Sequence, residues 1–229
     1  MKIYRHSGTL GDLIYSLSAV KKMAQQDVYF KVAINNIENC VARYGYKPEE
    51  VASEHRGRFT EEDFSRLLPL LRRQPYIETV GRWYAGDDEP DVDLDNFRAV
   101  LFKKFEGNYV QAYHLTFGLP FTMNDYDTPW LEADPKKAAS IVISRTPRYQ
   151  DPNGDERWRD IVKDVNLKES AVFVGTPAEH LAFEQAVEKT VPYYPVADFL
   201  ELANVVAGAD FVMANQNFVY SLAMGLGKD

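Results

Sequence analysis

The first 34 residues constrain this chain more than any other stretch. Met1 to His6 reads as a short buried strand, and Ser7 to Asp12 as a loop carrying Gly8 and Gly11. From Leu10 to Gln25 the residues Leu10, Leu13, Ile14, Leu17, Val20 and Met23 recur mostly at spacings of three and four, which gives one apolar helix face. Residues 28–34 (VYFKVAI) read as a second strand. Strand, helix and strand in so short a span make a βαβ unit, and such units build parallel sheets. The chain is therefore expected to be α/β.

The pattern continues less regularly and then restarts. Thr60 and Asp63 resemble a capping pair, with Phe64, Leu67, Leu68 and Leu71 following at helical spacing around Pro69. Ile77 to Val80 reads as a short strand. Residues 85–96 (AGDDEPDVDLDN) read as an acidic, irregular loop, and residues 98–117 as containing a helix broken at Gly107–Asn108. Residues 118–135, rich in Pro and Asp, are the expected linker. Beyond it, strands at 140–144, 171–175 and 211–215 alternate with helices over 156–165, 177–189, 197–207 and 218–226. This half reads as a second doubly wound unit, with loops at the carboxyl ends of its strands. The domains are expected at 1–130 and 138–229.

A chain of 229 residues can bury a core without disulfides or metals. Its net charge of −8 argues against a general nucleic-acid binder, which needs a basic face. The single cysteine, Cys40, excludes an intramolecular disulfide and reads as a small core residue. The start lacks a signal-peptide apolar region, and no apolar run approaches the ~20 residues that cross a bilayer. A cytoplasmic protein with at most peripheral membrane contact is expected.

Four loops carry candidate chemistry. In HSGTLGD, Ser7, Gly8, Thr9 and Gly11 precede a helix whose N-terminus offers free N–H groups, and Asp12 sits in its first turn. Asp12 fits two roles, a base for an acceptor hydroxyl or a complement to the helix dipole. In SRTPRYQ, Ser144, Arg145, Thr146 and Arg148 suit phosphate oxygens, or form a solvated loop. Gly175 and Thr176, with Glu179 in the helix that follows, and Asn215, Gln216 and Asn217 suit sugar hydroxyls or a nucleotide, or cap the next helices. The histidines His6, His55, His114 and His180 are scattered without metal-ligand spacing. The acidic run Asp87, Asp88, Glu89, Asp91, Asp93 and Asp95 reads as a solvated loop rather than a cation site. Phosphate-loop, dinucleotide and serine-hydrolase signatures are absent.

In order, these pieces resemble the heptosyltransferase-like glycosyltransferases, which have the GT-B fold. GTLGDLIYSLSAVKKM looks like the opening of that family. RTPRYQ…RW looks like its first donor-domain loop and following helix. DFLELANVVAGADFVMANQNFVYSLAMGLGK is similar to its closing helix, strand, loop and helix. The resemblance implies two Rossmann-like halves with parallel sheets, the second shorter than in a full GT-B enzyme, since the chain stops at Gly227-Lys228-Asp229. It also implies an inverting, metal-independent transfer of sugar from a nucleotide-sugar to a glycan or lipid-sugar hydroxyl, with no separate cofactor and with cell-surface polysaccharide as the setting. Asp12 matches the family's proposed base. Thr146 and Arg148 match its donor-phosphate loop, and Asn215 to Asn217 its donor-sugar loop. The family carries Asp-Ser/Thr-Gly and a later histidine where this chain has Gln216, Asn217, Phe218 and Ser221. A donor handled differently from ADP-heptose is expected. The alternative is a non-catalytic GT-B-like module that binds a nucleotide or glycan.

Overall fold

The computed structural model describes residues 1–34, 59–101, 107–122, 124–147 and 153–228. Cys40, His55 and Arg148 lie outside these residues. The chain divides into two compact units, Met1–Glu132 and Ala133–Asp229. Each has its own parallel sheet, so the α/β expectation holds in both.

The described part of unit 1 begins with β1 (Lys2–His6), α1 (Leu10–Met23) and β2 (Val28–Ala33). It continues with α2 (Glu61–Arg72), β3 (Thr79–Trp83) and β4 (Val92–Asp93). A 3-10 turn (Leu94–Asn96), α3 (Phe97–Leu101), α4 (Tyr109–Thr116) and α5 (Asn124–Asp127) follow. The strand order is β3-β2-β1-β4. Helix α1 starts because Thr9, in extended backbone, accepts the Asp12 N–H through its side chain. It ends on Lys21 and Lys22, which complement the dipole. Helix α2 carries the capping box expected from Thr60 and Asp63. Pro69 forfeits one internal hydrogen bond, yet the helix runs on to Arg72 because Leu67, Leu70 and Leu71 are fully buried around it.

One expectation for this unit needs correction. Residues 85–96 are not wholly a loop: Val92 and Asp93 form β4, which pairs in parallel with Tyr4 and Arg5 of β1. The division between the units falls inside the expected linker, residues 118–135, and the linker's Trp130–Glu132 end is packed into unit 1. Trp130 is buried and donates its indole N–H to the Ile14 carbonyl at 2.9 Å. Its own carbonyl accepts from the Tyr76 hydroxyl at 2.7 Å. Gln74 and Glu132 bond at 2.8 Å. The Pro and Asp content signalled irregular backbone, and buried aromatic surface fixed that backbone in place.

Unit 2 contains β5 (Ile141–Ser144), α6 (Gly154–Val162), α7 (Leu167–Ser170) and β6 (Ala171–Phe173). Then come α8 (Pro177–Val187), α9 (Phe199–Gly208), β7 (Phe211–Ala214) and α10 (Phe218–Gly225). The strand order is β6-β5-β7, all parallel. Ile143, Val162, Phe173, Phe183 and Val187 form a buried cluster, with Trp158 packed edge-on against Phe183. Asp198 caps α9, accepting the Glu201 N–H at 2.8 Å.

Candidate functional site

The two sheets share one topological feature. In each, the first strand has its successor on one side and the last strand on the other: β1 between β2 and β4, β5 between β6 and β7. Where strand order reverses, the loops leaving the carboxyl ends diverge, and ligands of open α/β sheets bind in the crevice that results. The loops after β1 and β4 flank this point in unit 1. Those after β5 and β7 flank it in unit 2. Three of these four contain residues read from sequence as candidate ligand contacts, and the fourth holds Asp95 of the acidic run.

In unit 1 the segment DVDLD grips β1 and the loop beyond it. The Ile3 N–H donates to Asp91 at 2.7 Å. Arg5 pairs with Asp93 at 2.7 Å and lies over the Trp83 ring, 4.4 Å from its centroid. The Ser7 hydroxyl donates to Asp95 at 2.6 Å, and its N–H reaches the same carboxylate at 3.0 and 3.2 Å. These carboxylates, expected in a solvated loop, instead bind donors 88 residues away. Three residues beyond Asp95, the Arg98 guanidinium donates to Asp12 at 3.0 Å. Arg98 is 5% exposed at its side chain and Asp12 17%. The guanidinium and the N-terminal end of α1 both favour negative charge at Asp12. His6, the last residue of β1, is buried with Nε2 2.9 Å from the Tyr113 hydroxyl. The sequence signal for this segment was its period-two alternation. Arg98 and Tyr113 carried no local signal.

In unit 2 the side-chain amide of Asn215 meets the backbone of Thr146. Its Oδ1 accepts the Thr146 N–H and its Nδ2 donates to the Thr146 carbonyl, each at 3.0 Å. Asn217 donates from Nδ2 to the Ser144 hydroxyl at 3.0 Å and to Asn215 Oδ1 at 3.2 Å. Its own Oδ1 caps α10 by accepting the Tyr220 N–H at 3.1 Å. Capping and loop bracing thus coexist in Asn217. Gln216 is exposed between these two asparagines. Arg145, buried, pairs with Asp155 at the start of α6.

Gly175, Thr176 and Glu179 stand apart from this group, because they follow β6, on the opposite flank of β5 from β7. Thr176 and Glu179 form a capping box. Glu179 accepts from the Thr176 N–H at 2.8 Å and from its hydroxyl at 2.9 Å. Gly175 has φ +151°, and a Cβ there would stand 3.0 Å from the Glu179 carboxylate. Among the described residues no group of three His, Cys, Asp or Glu side chains is placed to hold a metal ion, and no helix is long and apolar enough to cross a membrane.

No sequence-family model matches this chain, and neither does any curated protein sequence. Solved structures do. The glycosyl transferase family 9 structure from Veillonella parvula DSM 2008 superposes with a TM-score of 0.59 at 10% identity, over 99% of this chain and 78% of that one. The E. coli heptosyltransferase WaaC with ADP-2-deoxy-2-fluoro heptose gives 0.49 at 13% identity, over 99% and 86%. The dodecameric iron-containing heptosyltransferase TibC from enterotoxigenic E. coli, with ADP-D-beta-D-heptose, gives 0.49 at 12%, over 99% and 56%. The family 9 superposition shows that the chain has the GT-B-type fold, with two Rossmann-like parallel-sheet halves.

Proposed function

We propose that this chain is a glycosyltransferase that moves a sugar from a nucleotide-sugar donor to a hydroxyl of a glycan or lipid-sugar acceptor, with inversion and without a metal ion. The observation that carries the reading is Asp12 at the reversal point of the first sheet, held by a buried arginine. Two others support it: the asparagine-braced loops at the reversal point of the second sheet, and the family 9 fold.

In the proposed step Asp12 accepts the proton of the acceptor hydroxyl as its oxygen attacks the anomeric carbon. The bond from that carbon to the nucleotide diphosphate breaks, and the diphosphate leaves with the bonding pair. A single displacement inverts the anomeric centre. Ser144, Thr146 and Arg148 would bind the diphosphate, with Gly175, Thr176 and Glu179 as flanking donor contacts. Asn215, Gln216 and Asn217 would hold the donor loop and meet the sugar. Ser7, Gly8, Thr9 and Gly11 would shape the acceptor side. Cell-surface polysaccharide synthesis on the cytoplasmic side of a membrane is the setting we propose.

The test is a transfer assay with a panel of ADP-, UDP- and GDP-sugars and glycan acceptors, in the presence of EDTA. Wild type is expected to be active with one donor class. Asp12→Asn should lose about 10²–10⁴-fold in kcat. Transfer undiminished in Asp12→Asn would sink the base assignment. Nucleotide binding without transfer or donor hydrolysis, read by calorimetry, would point to a binding module instead.

A further inference from the structure

Asp12 does not need Arg98 in order to serve its helix. The Thr9 side chain already accepts the Asp12 N–H, and the dipole favours a carboxylate in the first turn without any partner. Yet an arginine is buried to reach it, and burying a guanidinium is costly unless its charge is answered. Arg98 lies three residues beyond Asp95, which holds Ser7 by its N–H and its hydroxyl. One short segment therefore fixes both ends of the glycine loop, the backbone at Ser7 and the carboxylate at Asp12. Arg98 lies deeper than the carboxylate, whose side chain keeps 17% of its surface exposed.

We propose that Arg98 is a positioning residue for Asp12: it holds the carboxylate ionised and in one orientation at the mouth of the loop, with Asp95 fixing the loop beneath it. The inference rests on the reading of Asp12 as base. A guanidinium does this better than an ammonium, because its planar fork fixes direction as well as charge.

The test titrates the Asp12 carboxyl by carbon NMR in the whole protein, with its resonance assigned by its loss in Asp12→Asn. Arg98→Met is expected to raise the proton affinity of Asp12 roughly tenfold or more. Arg98→Lys should restore most of that charge effect. In the transfer assay both variants should lower kcat with little change in acceptor KM. The acidic limb of the kcat profile should move to higher pH in Arg98→Met and return towards wild type in Arg98→Lys. A folded Arg98→Met with an unchanged titration midpoint and an unchanged acidic limb overturns the proposal. Should Arg98→Met not fold, wild type alone decides. Rotation of its Arg98 guanidinium should quicken as Asp12 protonates, and a rotation rate that does not respond to that protonation overturns the inference. The two readings fail separately. Retained transfer in Asp12→Asn removes the base, whereas lost transfer there with wild-type behaviour in both Arg98 variants removes only Arg98.

Discussion

At the scale of residues, one side-chain amide carries much of unit 2's candidate site. Asn215 satisfies both the N–H and the carbonyl of Thr146 with one side chain, as a neighbouring strand would. It also accepts from Asn217, which holds Ser144. Asn215→Ala removes the clasp on the Thr146 N–H and carbonyl. The expected cost is about 1–2 kcal/mol in urea unfolding. The loop after β5 should also lose its fixed path, so nucleotide affinity should fall more than tenfold in calorimetry. Asn215→Asp keeps the shape and one acceptor but brings a charge next to the Thr146 carbonyl, and should rescue stability only in part. The residue types in these loops were legible from sequence. Their pairing was not, because Thr146 and Asn215 lie 69 positions apart.

At the scale of elements, β4 is the instructive one. Its two residues are too few for hydrophobic patterning to reveal. Five aspartates and a glutamate between 87 and 95 weighed towards a solvated loop. The alternation D-V-D-L-D was present throughout, with Val92 and Leu94 buried between the carboxylates. What could not be read locally was the basic and N–H-bearing edge that receives them. Longer elements with their own caps were legible to within a few residues: α1, α2, α8 and α9 each start at or beside the cap or first-turn signal that sequence supplied. The strand β4 yields a direct expectation. Asp93→Ala strands the Arg5 guanidinium, 7% exposed, against the Trp83 ring. The loss should approach about 3 kcal/mol in denaturant unfolding, as for a buried pair deprived of one partner. Asp88→Ala, at an exposed side chain in the same acidic stretch, should change stability by less than about 0.5 kcal/mol.

At the scale of the whole molecule, two sheets of similar design each present candidate loops where strand order reverses. The proposed division of labour gives unit 2 the nucleotide-sugar and unit 1 the acceptor. Hydrogen exchange with bound nucleotide should therefore protect residues 144–147 and 215–217 and leave residues 7–12 unchanged. A glycan acceptor should protect 7–12. Protection of unit 1 by nucleotide alone would overturn that division. The net charge of −8 bears on the same question. Dianionic donors approach against a negative mean field, so donor association should quicken as salt rises to about 0.15 M.

The carboxylates of the DVDLD segment also set an order of events. Strand β1 meets β2 across 26 residues, as at Lys2 and Val28, but reaches Asp93 and Asp95 only by closing a loop of 88. Such a closure costs on the order of 4 kcal/mol in chain entropy and slows folding relative to local pairing. A newly made chain can therefore assemble β1, α1 and β2 with Asp12 already in its helix. Arg98 arrives later, with the segment that follows β4, so Asp12 meets its guanidinium only after its own helix has formed.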